Sequence, residues 1–427
     1  MNIEELYEKY LQSRSVSTDT RQIKNGSVFF ALRGEKFNGN EFALQALEKG
    51  ASVAVIDDPA AQSGSATVLV QDVLRTLQDL ATHHRSKLKI PIVGLTGSNG
   101  KTTSKELVNA VLGKKFKTHA TKGNLNNHIG VPLTILSIDD SIEIAVIEMG
   151  ANHVGEIALL CSIAQPTHGF ITNIGKAHIG TFGGFDNIIR AKSELYQYLI
   201  QHDGTVFINS QNEILANMAK RFKDPHMYPA KGDYYHCEFV SADPYVKLIA
   251  ESGDEIQTQL LGKYNFENIA SALCIGKYFG VDAGDANLAV SQYVPGNMRS
   301  QVITKRTNTI ILDAYNANPS SMKAAIENLA AMKSERKILI LGDMFELEEE
   351  AEKEHQQIGK LIQQLGFNEV YLCGTLMKVA QLEIPSAKHF GTKDDLIEAL
   401  KENNFASSTI LVKASRGIGL EAIVDHL

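Results

Sequence analysis

No apolar run in this 427-residue chain approaches the roughly 18 residues that a membrane-spanning helix needs, so no membrane span is expected. A basic surplus is missing too: 42 Lys and Arg stand against 49 Asp and Glu, a net charge of −7. That argues against a dedicated nucleic-acid binder. An anionic small substrate stays open, because basic groups inside a cleft act locally. Cysteine is sparse, and Cys161, Cys237, Cys274 and Cys373 form no CxxC pair and adjoin no His-x-His. A zinc site or disulfide framework is not expected, and a reducing compartment is. The opening segment MNIEELYEKYLQ is acidic where a secretory leader starts basic and turns apolar, so the expected location is the cytoplasm. Repeats, low-complexity tracts and long charge runs are also missing, which leaves unit boundaries to be read from changes in pattern.

What is present is an ordinary globular composition, 44% hydrophobic and 21% charged. The length corresponds to about three domains at roughly 150 residues each. Residues 1–87 mix short apolar strands (27–32, 52–56, 67–70) with helical stretches (41–49, 73–87), a small α/β unit. Residues 88–299 open on the apolar strand IPIVGLTG and continue with strands at 142–148, 169–173 and 204–209 separated by helices, then strand-like alternation over 234–261 and a helix over 264–279. Residues 300–427 alternate strand and helix regularly, with strands at 309–312, 337–341, 369–373 and 408–412 and a helix at the end. Strands separated by helices of ten or so residues imply parallel sheets covered on both faces. The expected fold is therefore α/β in three domains: a small α/β unit, a central parallel sheet with a phosphate loop, and a Rossmann-like C-terminal domain.

The sharpest local signal is GLTGSNGKTT at 94–103. A strand ends, a glycine-rich turn follows, and a helix begins at Lys101-Thr102. Successive backbone N–H groups and the positive end of the helix form a cradle for phosphate oxygens. Gly97 and Gly100 let backbone approach closely, Lys101 supplies a cation to the outer phosphates, and the Thr102 hydroxyl can ligate Mg²⁺. The pattern GxxxxGK[ST] is imperfect, since Leu95 takes the first glycine's place. A plain glycine turn before a helix is the competing explanation, and the strand–loop–helix context favours phosphate binding.

Three polar residues follow in the same unit. Glu148 ends the strand IEIAVIEMG, at the carboxyl edge where α/β sheets bind ligands, and can hold a hard cation. His178 follows the next strand, and Lys192 lies on the helix after it. Taken singly, each has a plainer explanation as a cap, a packed histidine or a solvated lysine.

The segments TGSNGKTT (96–103), EMGANHVGEI (148–157), TNIGKAHIGTFG (172–183) with AKSELY (191–196), and GKYNFENIASAL (262–273) resemble, in this order, the Mur ligases, ATP-dependent amide-forming enzymes of peptidoglycan precursor synthesis. Thr96-Gly97 in place of the usual first glycine is the family's form of the loop. STDTR (17–21), DAYNANPSSM (313–322), LGDMFELEEEAEKEH (341–355) and KASRG (413–417) are similar to the member that adds D-alanyl-D-alanine. The likeness spans residues 17–417. Glu348 departs from an expected glycine, and Ala414 from another.

The resemblance implies that ATP phosphorylates the terminal carboxylate of UDP-N-acetylmuramoyl-tripeptide, and that the amine of D-Ala-D-Ala displaces phosphate from the acyl phosphate. Two anions must meet, so the site must supply positive charge. By resemblance, Thr96, Gly97, Ser98, Asn99, Gly100, Lys101 and Thr102 bind ATP. Thr102 and Glu148 hold one Mg²⁺, and His178 and Lys192 serve a second. A lysine ammonium cannot ligate a metal, and the family converts it to a carbamate, so Lys192 is expected to be N-carboxylated. Lys101, His178 and Lys192 are the implied catalytic residues. Asn265 and Asn268 are placed to read adenine, Arg299 to reach phosphate, and Asp313 to accept from ribose. Asn316, Asn318, Lys413, Ser415 and Arg416 would face the peptide substrate or D-Ala-D-Ala, and Ser17, Thr18 and Arg21 the UDP moiety of a UDP-sugar held by residues 1–87. A monomer is expected. Asp343, at a strand end, is a candidate base for the incoming amine. A folylpolyglutamate synthase would fit the domain order but begins almost at its phosphate loop. An ATP-driven switch would carry aspartate where Glu148 stands.

Overall fold

The computed structural model describes residues 1–403 and 405–427. Three mainly parallel sheets carry the chain. In the first, strands Val16–Ser17, Val28–Phe30, Val53–Ile56 and Thr67–Leu69 lie side by side in chain order. Its two longest helices start on side-chain caps. Asn2 and Glu5 form a capping box on helix Ile3–Ser13, and the Asp72 carboxylate accepts from the Arg75 N–H on helix Val73–Lys87. Each cap satisfies amides that a helix start leaves free.

The central sheet runs His226–Tyr228, Thr205–Asn209, His168–Ile171, Ile92–Thr96, Ile144–Glu148, Thr118–Ala120, every pair parallel. Strands Ile92–Thr96 and Ile144–Glu148 are buried along their whole length, as strands covered on both faces must be. Because the neighbours are parallel, the loops after Thr96, Glu148 and Ile171 leave from one edge, the edge where such sheets bind ligands. An antiparallel sheet follows, Glu238–Ala242, Tyr245–Ile249 and Glu255–Leu261, with helix Asn265–Tyr278 after it.

The C-terminal sheet is ordered Gln301–Lys305, Asn308–Asp313, Ser408–Lys413, Arg336–Gly342, Glu369–Cys373, Lys388–Phe390, and its first pair alone is antiparallel. Its register sets Asp313 opposite Lys413. Gly419, with φ +71°, separates two final 3₁₀ turns, Arg416–Ile418 and Leu420–His426. These replace the α-helix expected there, because a glycine in the left-handed region interrupts the α repeat.

Leu6, Tyr10, Phe30 and Leu77 share one hydrophobic cluster with Val131, Ile135, Ile147 and Leu195 of the central unit. The Tyr10 hydroxyl donates to the Leu136 carbonyl across that joint at 2.6 Å. The C-terminal sheet builds a core on each of its two faces, one of them taking in Leu261 with Ile179 and Tyr245 packed against it. The segment leading into it holds Asn297, Met298 and Ser300 at φ +55°, +56° and +50° on either side of Arg299, conformations that residues other than glycine seldom adopt. All four cysteines are buried and free. Among the described residues no helix is long and apolar enough to cross a membrane.

Candidate functional site

A cavity of ≈ 700 Å³ opens at the carboxyl edge of the central sheet, with the C-terminal unit forming its far wall. The phosphate loop forms its floor. Helix Lys101–Leu112 begins directly after Gly100, and Ser98 through Thr103 line the cavity, so a helix N-terminus faces the space where an anion is stabilised. Lys101 folds back and donates to the carbonyls of Gly97 and Ser98 at 2.8 and 3.3 Å. Burial lowers its pKa, Glu148 opposes that shift, and Arg299 adds to it. The loop is stitched to the segment after strand His168–Ile171: the Ser98 N–H donates to the Asn173 carbonyl at 3.0 Å, and the Asn99 N–H to Asn173 Oδ1 at 3.0 Å. Thr96 and Gly97 sit under the loop. A Cβ on Gly97, at φ +149°, would lie 1.9 Å from Thr172 Oγ1. Gly97→Ala is therefore expected to weaken nucleotide binding about tenfold to a hundredfold, from a few kcal/mol of clash and strain. Titration calorimetry with ADP on the folded variant measures it.

Glu148 is 1% exposed. Its Oε1 accepts from Asn126 Nδ2 at 2.8 Å and from the Thr102 hydroxyl at 3.4 Å. Its Oε2 has no hydrogen-bond partner, and Lys105 Nζ stands 3.9 Å off. A buried carboxylate oxygen without a hydrogen bond is costly unless a cation faces it; Lys105 supplies part of that charge without making a hydrogen bond. Among the described residues no three His, Cys, Asp or Glu side chains converge on a metal position. A cation at Glu148 would thus be completed by hydroxyl, water and ligand oxygens, the coordination that Mg²⁺ takes on phosphates. The residues present fit that ion.

His178 lines the cavity at φ +55°, and its Nδ1 faces the Glu346 carboxylate, whose pKa it lowers through that bond. Lys192, on helix Phe185–Gln201, is 2% exposed. It lies behind the lining residue Ala151, whose carbonyl accepts from Nζ at 3.3 Å. Burial, with Lys101 nearby, lowers its pKa to about 7.

Asn265 and Asn268 line the cavity and are chained together. Ser104 Oγ donates to Asn268 Oδ1 at 3.0 Å, Asn268 Nδ2 to Asn265 Oδ1 at 2.8 Å, and Asn265 Nδ2 to the Leu261 carbonyl at 2.7 Å. Neither caps the helix. Arg299 stacks on the Tyr315 ring, 3.9 Å from its centre. Asp313 accepts from the Ser300 N–H at 3.1 Å and from Lys413 Nζ at 2.6 Å. Lys413, 1% exposed, is thereby an ion-pair partner of Asp313 as well as a lining residue. Asn316 and Asn318 also line the cavity; Asn318 caps helix Pro319–Ala331 and donates to Asn99 Oδ1 at 2.8 Å.

The remaining sequence candidates lie elsewhere. Ser415 is buried, its hydroxyl accepting from the Phe345 N–H at 2.9 Å, and Arg416 is exposed with its guanidinium 5.1 Å from the Tyr315 ring centre. Ser17 Oγ donates to the Asp19 carbonyl at 2.8 Å, Thr18 precedes Asp19, and the Arg21 side chain, 84% exposed, is forked onto the Asp19 carboxylate. None of these reaches the cavity. Asp343 is buried with Oδ1 accepting from the Met377 N–H at 2.8 Å, a structural position off the cavity wall. The sequence reading passed over lining residues Asn124, Asn126, Asn127 and His128. Their signal was in view: three asparagines and a histidine packed into GNLNNHIG.

Residues 13–85 match the description "Mur ligase family, catalytic domain", 95–276 "Mur ligase middle domain" and 298–416 "Mur ligase, glutamate ligase domain". The UDP-N-acetylmuramoyl-tripeptide–D-alanyl-D-alanine ligase of Bacillus subtilis is 36% identical over 96% of this chain and 92% of its own. The ligase of that name from Escherichia coli is 33% identical over 97% and 93%. A crystal structure of MurF from Acinetobacter baumannii superposes with TM-score 0.87 at 30% identity over 96% of this chain and 92% of that one. MurF ligase from Thermotoga maritima in complex with ADP gives 0.86 at 25% identity, covering 97% of both chains.

Proposed function

The chain belongs to the Mur ligase family, and from that premise we propose that it joins D-alanyl-D-alanine to the terminal carboxylate of UDP-N-acetylmuramoyl-tripeptide with cleavage of ATP to ADP and phosphate. The observation that carries this reading is the single cavity in which the loop Ser98–Thr102, Glu148 and His178 of the central unit meet Arg299, Asp313 and Asn316. Groups suited to phosphate, to a metal ion and to substrate from the C-terminal side line one space there.

In the first step a tripeptide carboxylate oxygen bonds to the γ-phosphorus as the bond to ADP breaks. The amine nitrogen of D-Ala-D-Ala then bonds to the acyl carbon, phosphate leaves, and the amine gives up a proton. Both steps gather negative charge, and groups fixed in advance stabilise it best. The loop N–H groups and Lys101 face the phosphates, and Arg299, held flat by Tyr315, approaches from the C-terminal side. Asn265 and Asn268 offer an amide pair to adenine, and Asp313 offers an acceptor to ribose. Thr102 and Glu148 would hold one Mg²⁺, and His178 with Lys192 as a carbamate a second. Bound there, the ions would neutralise phosphate charge. Glu346 fixes the orientation of His178. Asn316, Asn318 and Lys413 would serve the peptide side, while Ser415 and Arg416 support that wall from behind. Ser17, Thr18 and Arg21 remain candidates for the UDP moiety, and Arg21 would have to leave Asp19 to bind it. One chain supplies every group named, so a monomer suffices. Substrates this anionic do not cross a bilayer, so enzyme, ATP and UDP-linked peptide must share one compartment, which this reading takes to be the cytoplasm.

The test is phosphate release by the purified protein with Mg-ATP and UDP-N-acetylmuramoyl-tripeptide, with and without D-Ala-D-Ala, together with the product mass. Release requiring both substrates, and a product heavier by the condensed dipeptide, is the expected result. Release with ATP alone, indifferent to either substrate, would overturn the reading in favour of an ATP-driven switch.

A further inference from the structure

We propose that Lys105 is the resident counter-charge of Glu148. It holds that carboxylate in place before a metal ion binds and keeps the affinity for a bare divalent cation low, so that the ion enters with nucleotide phosphates. Lys105 lies four residues after Lys101 on helix Lys101–Leu112, on the same face one turn further along. The helix packs against strand Ile144–Glu148 and helix Asn265–Tyr278. Lys105 is 3% exposed and is not part of the cavity wall. A lysine is seldom buried to that extent without an anion. Two carboxylate oxygens stand 3.9 Å from its Nζ, Glu106 Oε1 and Glu148 Oε2. They are not equivalent. The Glu106 side chain is 30% exposed and its other oxygen accepts from the Tyr293 hydroxyl, so water and Tyr293 share its charge. Glu148 is enclosed, with Oε1 held by Asn126 and Thr102 and no hydrogen bond on Oε2. Among the described residues, the ion pair that Glu148 makes is with Lys105.

The separation decides what Lys105 can do. At 3.9 Å it is too far for a hydrogen bond, so the lone pairs of Oε2 stay free. It is close enough for charge to act, and burial weakens screening by water. The ammonium therefore offsets the desolvation of Glu148 without capping it. The same charge opposes a metal ion that Glu148 holds from the cavity side. Lys101, whose charge is coupled to Glu148, adds to that opposition, so two ammonium groups face one carboxylate. Phosphates reverse the balance, because they bring negative charge with the ion. Lys105 is thus a positioning residue that acts through Glu148 and does not touch substrate. The inference rests on the proposed role of Glu148 as a metal ligand.

The experiment uses the full-length protein without nucleotide or peptide. A wild type without ligase activity therefore counts against the proposed function alone. Melting temperatures in EDTA are compared for wild type, Lys105→Met, Glu148→Gln and the double variant. Lys105→Met leaves Glu148 buried without its counter-charge and should melt about 5 °C or more below wild type. In the Glu148→Gln background the same substitution should lower melting by at most about half as much. Mn²⁺, a spectroscopic stand-in for Mg²⁺, is then titrated by electron paramagnetic resonance, counting the binding that Glu148→Gln loses. Lys105→Met should bind Mn²⁺ about tenfold more tightly than wild type. Mn²⁺ should also raise the melting temperature of Lys105→Met by more than that of wild type. Damage to the fold alone would move the affinity the other way. If Lys105→Met does not fold, Lys105→Gln, which also removes the charge, replaces it in both measurements. Melting shifts that simply add in the double variant overturn the proposal. So does Mn²⁺ bound no more tightly without the Lys105 charge than with it.

Discussion

Replacing Lys192 with alanine should lower turnover at least about a hundredfold, the scale of losing a group that organises transition-state charge. The reason begins with its surroundings. Lys192 is 2% exposed, and burial with Lys101 nearby lowers its pKa to about 7. An ordinary lysine, near 10.4, is neutral in only about one molecule in a thousand at neutral pH. Burial makes this one give up its proton far more readily there. Its lone pair can attack CO₂, forming the N–C bond of a carbamate with loss of a proton, and the product is an anionic oxygen ligand. Short carboxylic acids should restore part of the activity of Lys192→Ala, whose cavity admits them, and little of that of Lys192→Met, whose side chain fills it. Near-normal turnover in the alanine variant, or no rescue by acids, would remove the carbamate. Stability should move the opposite way. A lysine pKa lowered by folding means that the unfolded chain binds the proton more tightly. Stability contributed above the ordinary lysine pKa is therefore lost as pH falls towards about 7. In CO₂-free buffer, Lys192→Met should raise the melting temperature, and by more near pH 6 than near pH 9. Calorimetry at the two pH values reads the sign directly.

Glu148→Gln should reduce kcat by about two to three orders of magnitude and raise the Mg²⁺ concentration needed for half-maximal rate. The substitution keeps the volume and allows the acceptor contacts with Asn126 and Thr102 on Oε1 to persist. It puts an NH₂ donor where Oε2, buried and without a hydrogen-bond partner, faces Lys105 Nζ at 3.9 Å and has room for a second cation. Folding should lose a little, since the buried Lys105 ammonium is left with Glu106 alone of its two carboxylates, so the kinetics are read on the folded variant. A Glu148→Gln enzyme within about threefold of wild type, with the same Mg²⁺ dependence, would take Glu148 out of the site.

Much of this architecture could be read from local pattern because local physics produced it. The turn at Gly97–Gly100 announced itself through glycines between an apolar run and a helix, and the structure puts strand Ile92–Thr96 and helix Lys101–Leu112 on either side. Glu148 could be placed at a binding edge because parallel strands align their carboxyl ends. Strands Thr118–Ala120, His226–Tyr228 and Lys388–Phe390 escaped notice: three residues each, at sheet edges, they are too short to show a period. The site's partnerships were invisible for another reason. Asp313 and Lys413 are 100 residues apart and meet only through strand register, so they read as two separate substrate contacts. Asn99 and Asn318, 219 apart, and Lys176 and Glu354, 178 apart, are likewise joined only once the units have docked. GNLNNHIG was legible as a polar knot, but nothing local ties Asn126 to Glu148.

The hydrophobic cluster that Leu6, Tyr10 and Phe30 share with Val131, Ile135 and Ile147 bears on how the chain comes apart under heat. Sheets are counted by hydrogen bonds, whereas cooperativity follows the apolar surface that would be bared. Melting the first sheet would strip the central one, so the two are one calorimetric unit. The C-terminal sheet, whose cores take in little of the preceding units beyond Leu261, Ile179 and Tyr245, can melt largely independently of them. Three sheets then yield two endotherms, and severing the chain near residue 88 would damage more than severing it near residue 297.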